Sequence, residues 1–526
     1  MKSILLYDTT LRDGAQGENI SFTAEDKLRI AQRLDDNGFH FIEGGWPGAN
    51  PRDTRFFELA KNAEFKNARI AAFGSTRRPN TKPEDDVILK ALIESEAPAV
   101  TIFGKSWDLH VFLMENTLPE NICMVRDSVE FLKKKGRIVI YDAEHFFDGY
   151  KANKDYAFET LAAAVEGGAD YITLCDTNGG SLPHEVAEIS RSVLSFMDER
   201  FKDNSNVLPI KLGIHAHNDS SMAVANSIEA VRSGAMMVQG TINGYGERCG
   251  NADMTSIIPV LQLKMGCDCL SSENLARMNK LSRFVSEVAN MTPQNSRPFV
   301  GKSAFAHKGG VHVSAVMKNP LAYEHMDPAL VGNERRVLMS DYSGKSNVEY
   351  KLKELGIDTD SNVNASAVVA EIKALEEEGY QFEVADASLK LLIDRHADKY
   401  KEFFELVSFR VTVEKDKNQA CRSHAVIKIA VDGEDRITAA EGHGPVSALD
   451  NAIRKALCHF YPRICNMHLV DYKVRVIDGQ DGTAAKVRVL IESRDEGQVW
   501  STMGVSEDII EASWKALSDS FNFKLS

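Results

Sequence analysis

The sequence has few cysteines, no long apolar run and no surplus of positive charge. Its eight cysteines show no CxxC spacing, and Cys267 and Cys269, though near neighbours, have no further zinc-type donors around them. That excludes a disulfide framework or zinc ribbon, and free thiols in a reducing cytoplasm are expected. No stretch approaches the ~20 apolar residues of a membrane span. The opening run, Met1-Lys-Ser-Ile-Leu-Leu-Tyr-Asp8, is too short in apolar residues for a secretory signal. The formal charge is −14, which speaks against general affinity for nucleic acid or an anionic membrane. An anionic ligand would need a local basic pocket. No strand candidate runs into a true G-x-G-x-x-G turn, and Gly442-His-Gly444 lacks the βαβ setting of a dinucleotide site. What remains is a chain of 526 residues with 43% hydrophobic content, enough for two or three domains with full cores.

The first ~240 residues alternate short β-branched runs with amphipathic helical stretches, a pattern of parallel strands joined by helices. Eight strand candidates appear: Ile4–Thr9, Phe39–Gly44, Arg69–Gly74, Ala99–Gly104, Arg137–Glu144, Asp170–Asp176, Ile210–His217 and Met236–Ile242. Helical spacing marks Ala24–Asn37 and Asn121–Lys135. Eight βα units predict a closed (β/α)8 TIM barrel over residues 1–265, with an open doubly wound sheet as the alternative. Residues 266–402 read as a mostly helical linker subdomain, with strong helices over Asn364–Glu378 and Ala385–Tyr400. Residues 403–526 switch to alternating apolar and polar positions, and two halves look alike. Each ends in a helix, closing on Arg454-Lys-Ala-Leu457 and on Trp514-Lys-Ala-Leu517. An α+β domain with internal duplication follows. It is either a regulatory domain with a cleft for a small ligand or a dimerisation module.

The most informative segment is Leu212-Gly-Ile-His-Ala-His-Asn-Asp219. Side chains of a strand point the same way every second residue, so His215 and His217 share one face near a strand end. Asp13, at the end of another strand, supplies an oxygen. Two imidazoles and a carboxylate make a divalent-metal site. Polar residues gather at the other strand ends too, including Asp8, Arg12, Glu43, Asp142, Glu144, His145, Asp176 and Thr177. Barrel enzymes work on that face.

Tyr7-Asp-Thr-Thr-Leu-Arg-Asp-Gly-Ala-Gln16, His215-Ala-His-Asn-Asp219 and Asn243-Gly-Tyr-Gly-Glu-Arg-Cys-Gly-Asn251 resemble the signatures of a group of barrel metalloenzymes. These make or break carbon–carbon bonds beside a carboxylate. They include isopropylmalate, homocitrate and citramalate synthases, hydroxymethylglutaryl-CoA lyase and keto-acid aldolases. The duplicated tail resembles the regulatory domain of the synthases. Four stretches resemble the citramalate synthases in particular: Gly44-Gly-Trp-Pro-Gly48, Thr101–His110, Tyr141–Gly149 and Phe305–His312. The resemblance covers nearly the whole chain. It implies a metal-dependent acyltransferase condensing pyruvate with acetyl-CoA to (R)-citramalate and CoA, feeding isoleucine synthesis and inhibited by isoleucine. Isopropylmalate or homocitrate synthase differs only in the keto-acid side chain. A carbon–carbon lyase or a non-catalytic amino-acid sensor stand as other classes.

The resemblance also implies roles. Asn251 is a fourth metal ligand beside Asp13, His215 and His217, and the ion is Mn²⁺, Zn²⁺, Co²⁺ or Mg²⁺. Arg12 stabilises enolate or alkoxide oxygen, or pairs with Asp8 or Glu43. Thr177 binds the keto-acid carboxylate. Glu144 does acid/base work or orients the acetyl group. His312 is the general base, with His307 as second choice. Tyr323 enters from the partner subunit, so a homodimer is expected. One position departs from the pattern: synthases carry His-x-Asp, whereas here the run is His312-Val-Ser314. Arg77, Arg78, Lys302 and Lys308 are candidates for the CoA phosphates.

Overall fold

The structure, a computed structural model, describes residues 2–204, 210–354, 364–415, 417, 420–477 and 485–526. The chain forms two compact units, one of residues 1–305 with 327–334, the other of 306–326 with 335–526.

In the first unit eight parallel strands close into a barrel. They are β1 (Leu5–Asp8), β2 (Phe41–Gly45), β3 (Arg69–Ser75), β4 (Ala99–Lys105), β5 (Ile138–Glu144), β6 (Tyr171–Asp176), β7 (Leu212–Ala216) and β8 (Met237–Gly240). Closure comes from β1, which pairs with both β2 and β8. The barrel is thus as expected, each strand ending within two residues of its predicted limit or inside it. Tyr7, Phe41, Ala71, Ala99, Ile140, Tyr171 and Met237 pack into one apolar cluster. Glu43, Thr101, Asp142, Thr173, His215 and Gln239 are buried polar residues of the same strands. Burying so many polar groups is tolerable only if they bond one another, and they do so at the site described below.

Helix ends follow local sequence. Thr23 and Asp26 form a reciprocal capping box for Ala24–Asp36. Thr117 caps Leu118–Lys134, which therefore starts one turn earlier than apolar spacing alone suggested, with a proline in the first turn.

The second unit carries a two-stranded parallel sheet, β9 (Ala306–His307) with β10 (Arg336–Val337). Helix Gly310–Lys318 lies between the two strands in the chain, and helices Lys345–Glu354, Ala365–Glu378 and Asp386–His396 follow. The last stops short of the predicted Tyr400 because Asp398 takes a left-handed conformation, φ 54°. The tail is two copies of one unit. Strands β11 (Glu405–Glu414), β12 (Arg422–Val431) and β13 (Glu434–Gly442) precede helix Pro445–Phe460. Strands β14 (His468–Val476), β15 (Val487–Arg494) and β16 (Val499–Ser506) precede helix Ile509–Leu525. Asp432-Gly433, with φ 47° and 84°, makes the tight hairpin between β12 and β13. Both halves contribute to one buried core, from Ile427, Ile429 and Leu449 to Val489, Trp500 and Phe521. Among the described residues no helix is long and apolar enough to cross a membrane.

The expectation of free thiols throughout is corrected at one point. Cys458 and Cys465 are disulfide-bonded, with Cα atoms 5.7 Å apart. The turn at Pro462–Asn466 folds Cys465 back onto the last helical residues, a proximity that sequence spacing does not reveal. The other six cysteines are free.

Helix Asp386–His396 covers the edge of β16. Asp386 Oδ1 accepts from Ser501 N at 3.0 Å, and Ser388 Oγ from Met503 N at 3.1 Å. Beside this contact Asp519 accepts from Ser388 Oγ at 2.7 Å. Burial pushes the Asp519 carboxyl up to about 6, against 3.8 in the unfolded chain. The folded state therefore holds the extra proton between these values, so the contribution of this group to stability is complete below pH ~4 and is lost as pH rises through about 6, by at most about 3 kcal/mol. D519N is expected to remove that fall and to raise the melting temperature above pH 7, read by calorimetry against wild type from pH 4 to 7.5.

Candidate metal centre and active site

Asp13 lies in the turn after β1, its N–H bonded to Thr9 O at 2.9 Å. His215 is on β7 and His217 just beyond it. The chain then returns through the loop after β8, where Gly244, Gly246 and Gly250 all take positive φ. A Cβ on Gly246 would lie 2.2 Å from Asn251 Nδ2, so only glycine permits this closure. The loop brings Asn251 into a bridge with His217.

One ligand atom each from Asp13, His215 and His217 lies within 4.8 Å of the others. The two Nε2 atoms are 3.3 Å apart, and Asp13 Oδ2 is 3.4 Å from His215 Nε2 and 3.9 Å from His217 Nε2. Asp13, His215, His217 and Asn251 are all buried. Three buried atoms here have no hydrogen-bond partner: Asp13 Oδ1, His217 Nδ1 and Asn251 Oδ1. Buried polar atoms are seldom left unsatisfied, and the unpaired oxygens Asp13 Oδ1 and Asn251 Oδ1, beside two imidazoles whose Nε2 atoms face each other, suit a cation. The residues present fit a metal ion.

The surroundings fix these donors. His215 Nδ1 donates to Gln239 Oε1 at 2.9 Å, which leaves Nε2 as the lone-pair nitrogen. Gln239 in turn donates from Nε2 to Asp142 Oδ1 at 2.8 Å and Thr173 Oγ1 at 3.2 Å. Burial, then the charge of His215, lowers His217 to about 4 and keeps it neutral. Burial opposes charge on Asp13 as well, but Arg12 and the histidines outweigh it and hold the carboxylate ionised. Burial, the largest single cause, works against charge on His215, but the bond to Asp13 and the charges of Asp13 and Asp142 together raise it.

Arg12 donates from Nε to Glu43 Oε2 at 2.9 Å and from Nη1 to Asp13 Oδ2 at 3.0 Å. Its guanidinium lies 3.8 Å over the Phe73 ring. Of the two ion-pair partners expected, Glu43 is found. Asp8 instead accepts from Thr10 N and Oγ1, and burial pushes it up to about 7. Tyr7 Oη donates to the other oxygen of Glu43, Oε1, and Thr9 Oγ1 donates to Oε2 beside Arg12. Arg12 is therefore locked in plane and position.

A cavity of about 210 Å³ opens above this group, bounded by Arg12, Glu144, Thr177, Phe73, Phe103 and Arg248. Glu144 forms an ion pair with Lys105, its register partner on β4. Thr177 Oγ1 accepts from His145 N at 2.9 Å. Arg248 grips Asp219 through two bonds of 2.7 and 2.9 Å and donates to Thr177 O. Sequence reasoning missed Gln239, Lys105, Arg248 and the two phenylalanines as site residues. Gln239 and Lys105 carried a signal, being polar residues in barrel strands. Phe73 and Phe103 did not, since aromatic residues in strands normally read as core.

In the second unit the rings of His312 and Tyr323 stack, centroids 4.2 Å apart. His307 Nε2 donates to Glu324 Oε1 at 3.0 Å. The cationic candidates for CoA phosphates fare unevenly. Arg77 is buried and spent on Glu120 and Asp127, 2.7 Å from each, so it is withdrawn from that role. Lys308 pairs with Glu383. Lys302 lines a larger cavity, about 520 Å³, together with Ser286, Arg283 and Arg297.

Three family profiles tile the chain: HMGL-like over residues 3–285, a homocitrate synthase post-HMGL domain-like segment over 299–380, and the LeuA allosteric (dimerisation) domain over 383–525. The chain is 54% identical to an (R)-citramalate synthase of Aquifex aeolicus, over 100% of its own length and 98% of that protein. It is 52% identical to one of Geobacter sulfurreducens, with the same coverage. A 2-isopropylmalate synthase of Methanocaldococcus jannaschii is 30% identical over 99% of this chain and 94% of that protein. The chain belongs to the HMGL-like family, in its (R)-citramalate synthase branch.

A divalent cation is expected to stabilise the first unit, by about 2.7 kcal/mol at a hundredfold excess over its dissociation constant. D13N should abolish the effect. A thermal melt of each protein with and without cation checks this, and an unchanged response in D13N would contradict it.

Proposed function

We infer that the protein condenses pyruvate with acetyl-CoA and water to (R)-citramalate and CoA. One observation carries this reading: a buried Asp–His–His group under a fixed arginine forms the floor of a small cavity walled by Phe73 and Phe103. A divalent cation, Mn²⁺ by preference, held by Asp13, His215, His217 and Asn251, would polarise the ketone and fix the keto acid. Thr177 accepts a bond from His145, so its hydroxyl hydrogen is available to the substrate carboxylate. His312 removes a proton from the thioester methyl, and the enolate carbon attacks the keto carbon. Arg12, with Nε and Nη1 committed, offers Nη2 to the oxyanions that develop. Glu144 orients the acetyl group and relays protons. Water then cleaves the thioester and releases CoA.

Phe73 and Phe103 stack at 5.5 Å with Trp46 edge-on to both, so the apolar wall is rigid. The cavity is small, about 210 Å³, and this fixed wall supports a keto acid with a short side chain. With Mn²⁺, CoA release should be fastest with pyruvate and much slower with 2-oxoisovalerate. F103A should raise 2-oxobutanoate relative to pyruvate, by roughly 10-fold or more per added methylene. A wild-type preference for 2-oxoisovalerate in a thiol-release assay would favour an isopropylmalate synthase instead.

We assign the working form as a cytoplasmic homodimer in which Tyr323, with the His312 ring stacked on it, reaches the site of the partner subunit. The exposure of Val311, Leu321 and Tyr323 around His312 supports it. The duplicated tail is assigned as an isoleucine-binding regulatory domain. Isoleucine is expected to lower turnover and to bind the full-length protein saturably in calorimetry. Absence of both heat and inhibition would remove that assignment.

A further inference from the structure

His307, Glu324 and Arg335 form a buried charged group in the second unit that the reaction scheme does not use. Glu324 is 5% exposed and His307 8%. Arg335 clamps the carboxylate with two parallel bonds, Nε to Oε1 at 2.6 Å and Nη2 to Oε2 at 2.6 Å. His307 adds a third, from Nε2 to Oε1 at 3.0 Å. His307 lies on β9, and Arg335 immediately precedes β10, its register neighbour. Both donors thus come from one small sheet and its immediate flank and converge on a residue of the loop between the strands. Burial opposes the charge of Glu324, yet Arg335 and His307 hold it below the usual carboxylate range.

The loop so anchored carries Tyr323. Pro320 O accepts from Tyr323 N at 3.2 Å and from Glu324 N at 3.0 Å, so the two residues sit on one tight turn. Glu324 points inward while Tyr323 is half exposed and stacks on His312, interplanar angle 27°. Among the described residues, the His312 imidazole has no hydrogen-bond partner. Ser314 stands where an acid would orient the imidazole. The contact that the His312 ring does make is the stack on Tyr323.

We propose that Glu324, fixed by Arg335 and His307, is a positioning residue that holds Tyr323 against His312 and so orients the base in place of a carboxylate partner. The inference rests on the reading that His312 and Tyr323 act in the condensation.

The test uses the full-length, Mn²⁺-loaded protein. E324Q keeps the shape of the side chain and removes the charge that the fork requires. It is expected to lower kcat at least tenfold while KM for pyruvate stays within about twofold. H307Q, which removes one bond of three, should act in the same sense and more weakly, and reads the coupling where E324Q does not fold. R335K should recover more activity than R335M. The second readout is NMR of the ¹³Cε1-histidine-labelled protein without added metal. The His312 signal, assigned by its loss in H312N, should lose the Tyr323 ring-current shift in E324Q as it does in Y323A. Wild-type kcat and an unmoved His312 signal in folded E324Q and H307Q would overturn the positioning role. If H312N and Y323F keep full activity, the reading beneath it fails and the proposal with it. If those two collapse while E324Q and H307Q do not, only the positioning role is lost.

Discussion

The contact on which the site depends is that between Arg12 and Asp13. A buried carboxylate is costly unless its charge is met, and here a guanidinium meets it at 3.0 Å. The same guanidinium is held by Glu43, itself fixed by Tyr7 and Thr9. Through these bonds the end of β1 is tied to β2. Asp13 Oδ2 takes the bond from Arg12 and lies nearest the two histidines, while Oδ1 is buried without a protein partner. Positive charge is thus present on one side of the carboxylate and wanting on the other. That asymmetry is what makes the group a candidate for a cation.

Much of this was legible before any coordinates. The barrel follows from eight β-branched runs separated by helices, because each strand must be apolar to be buried on both faces. The pairing of His215 with His217 follows from the period of a strand, and Asp13 from its place at another strand's end. What lay beyond the sequence is of two kinds. Gln239 sits more than twenty residues from His215 in the chain, and its place behind the imidazole depends on barrel register, not on local pattern. Phe73 and Phe103 resemble core residues in every local respect, and only closure of the barrel turns them toward a cavity. The disulfide between Cys458 and Cys465 was missed for a similar reason, since a helix end followed by a tight turn sets their separation. Arg77 was misjudged because a lone arginine in sequence shows nothing of Glu120 and Asp127.

The tail shows a different economy of structure. Two three-stranded sheets, each backed by one helix, would each expose an apolar face. Joined, they bury one continuous core. The two halves are not equivalent in their surroundings, since helix Asp386–His396 covers the edge of β16.

The central claim is that Asp13, His215 and His217 grip one divalent cation on which turnover depends. Pulsed electron paramagnetic resonance of the Mn²⁺-loaded protein tests it most directly. The account requires one Mn²⁺ per chain, with nitrogen modulation from two imidazoles that halves in H217A, and pyruvate-dependent CoA release that vanishes on chelation and returns with Mn²⁺. Bound Mn²⁺ without imidazole coupling, or turnover that survives complete removal of metal, would contradict it.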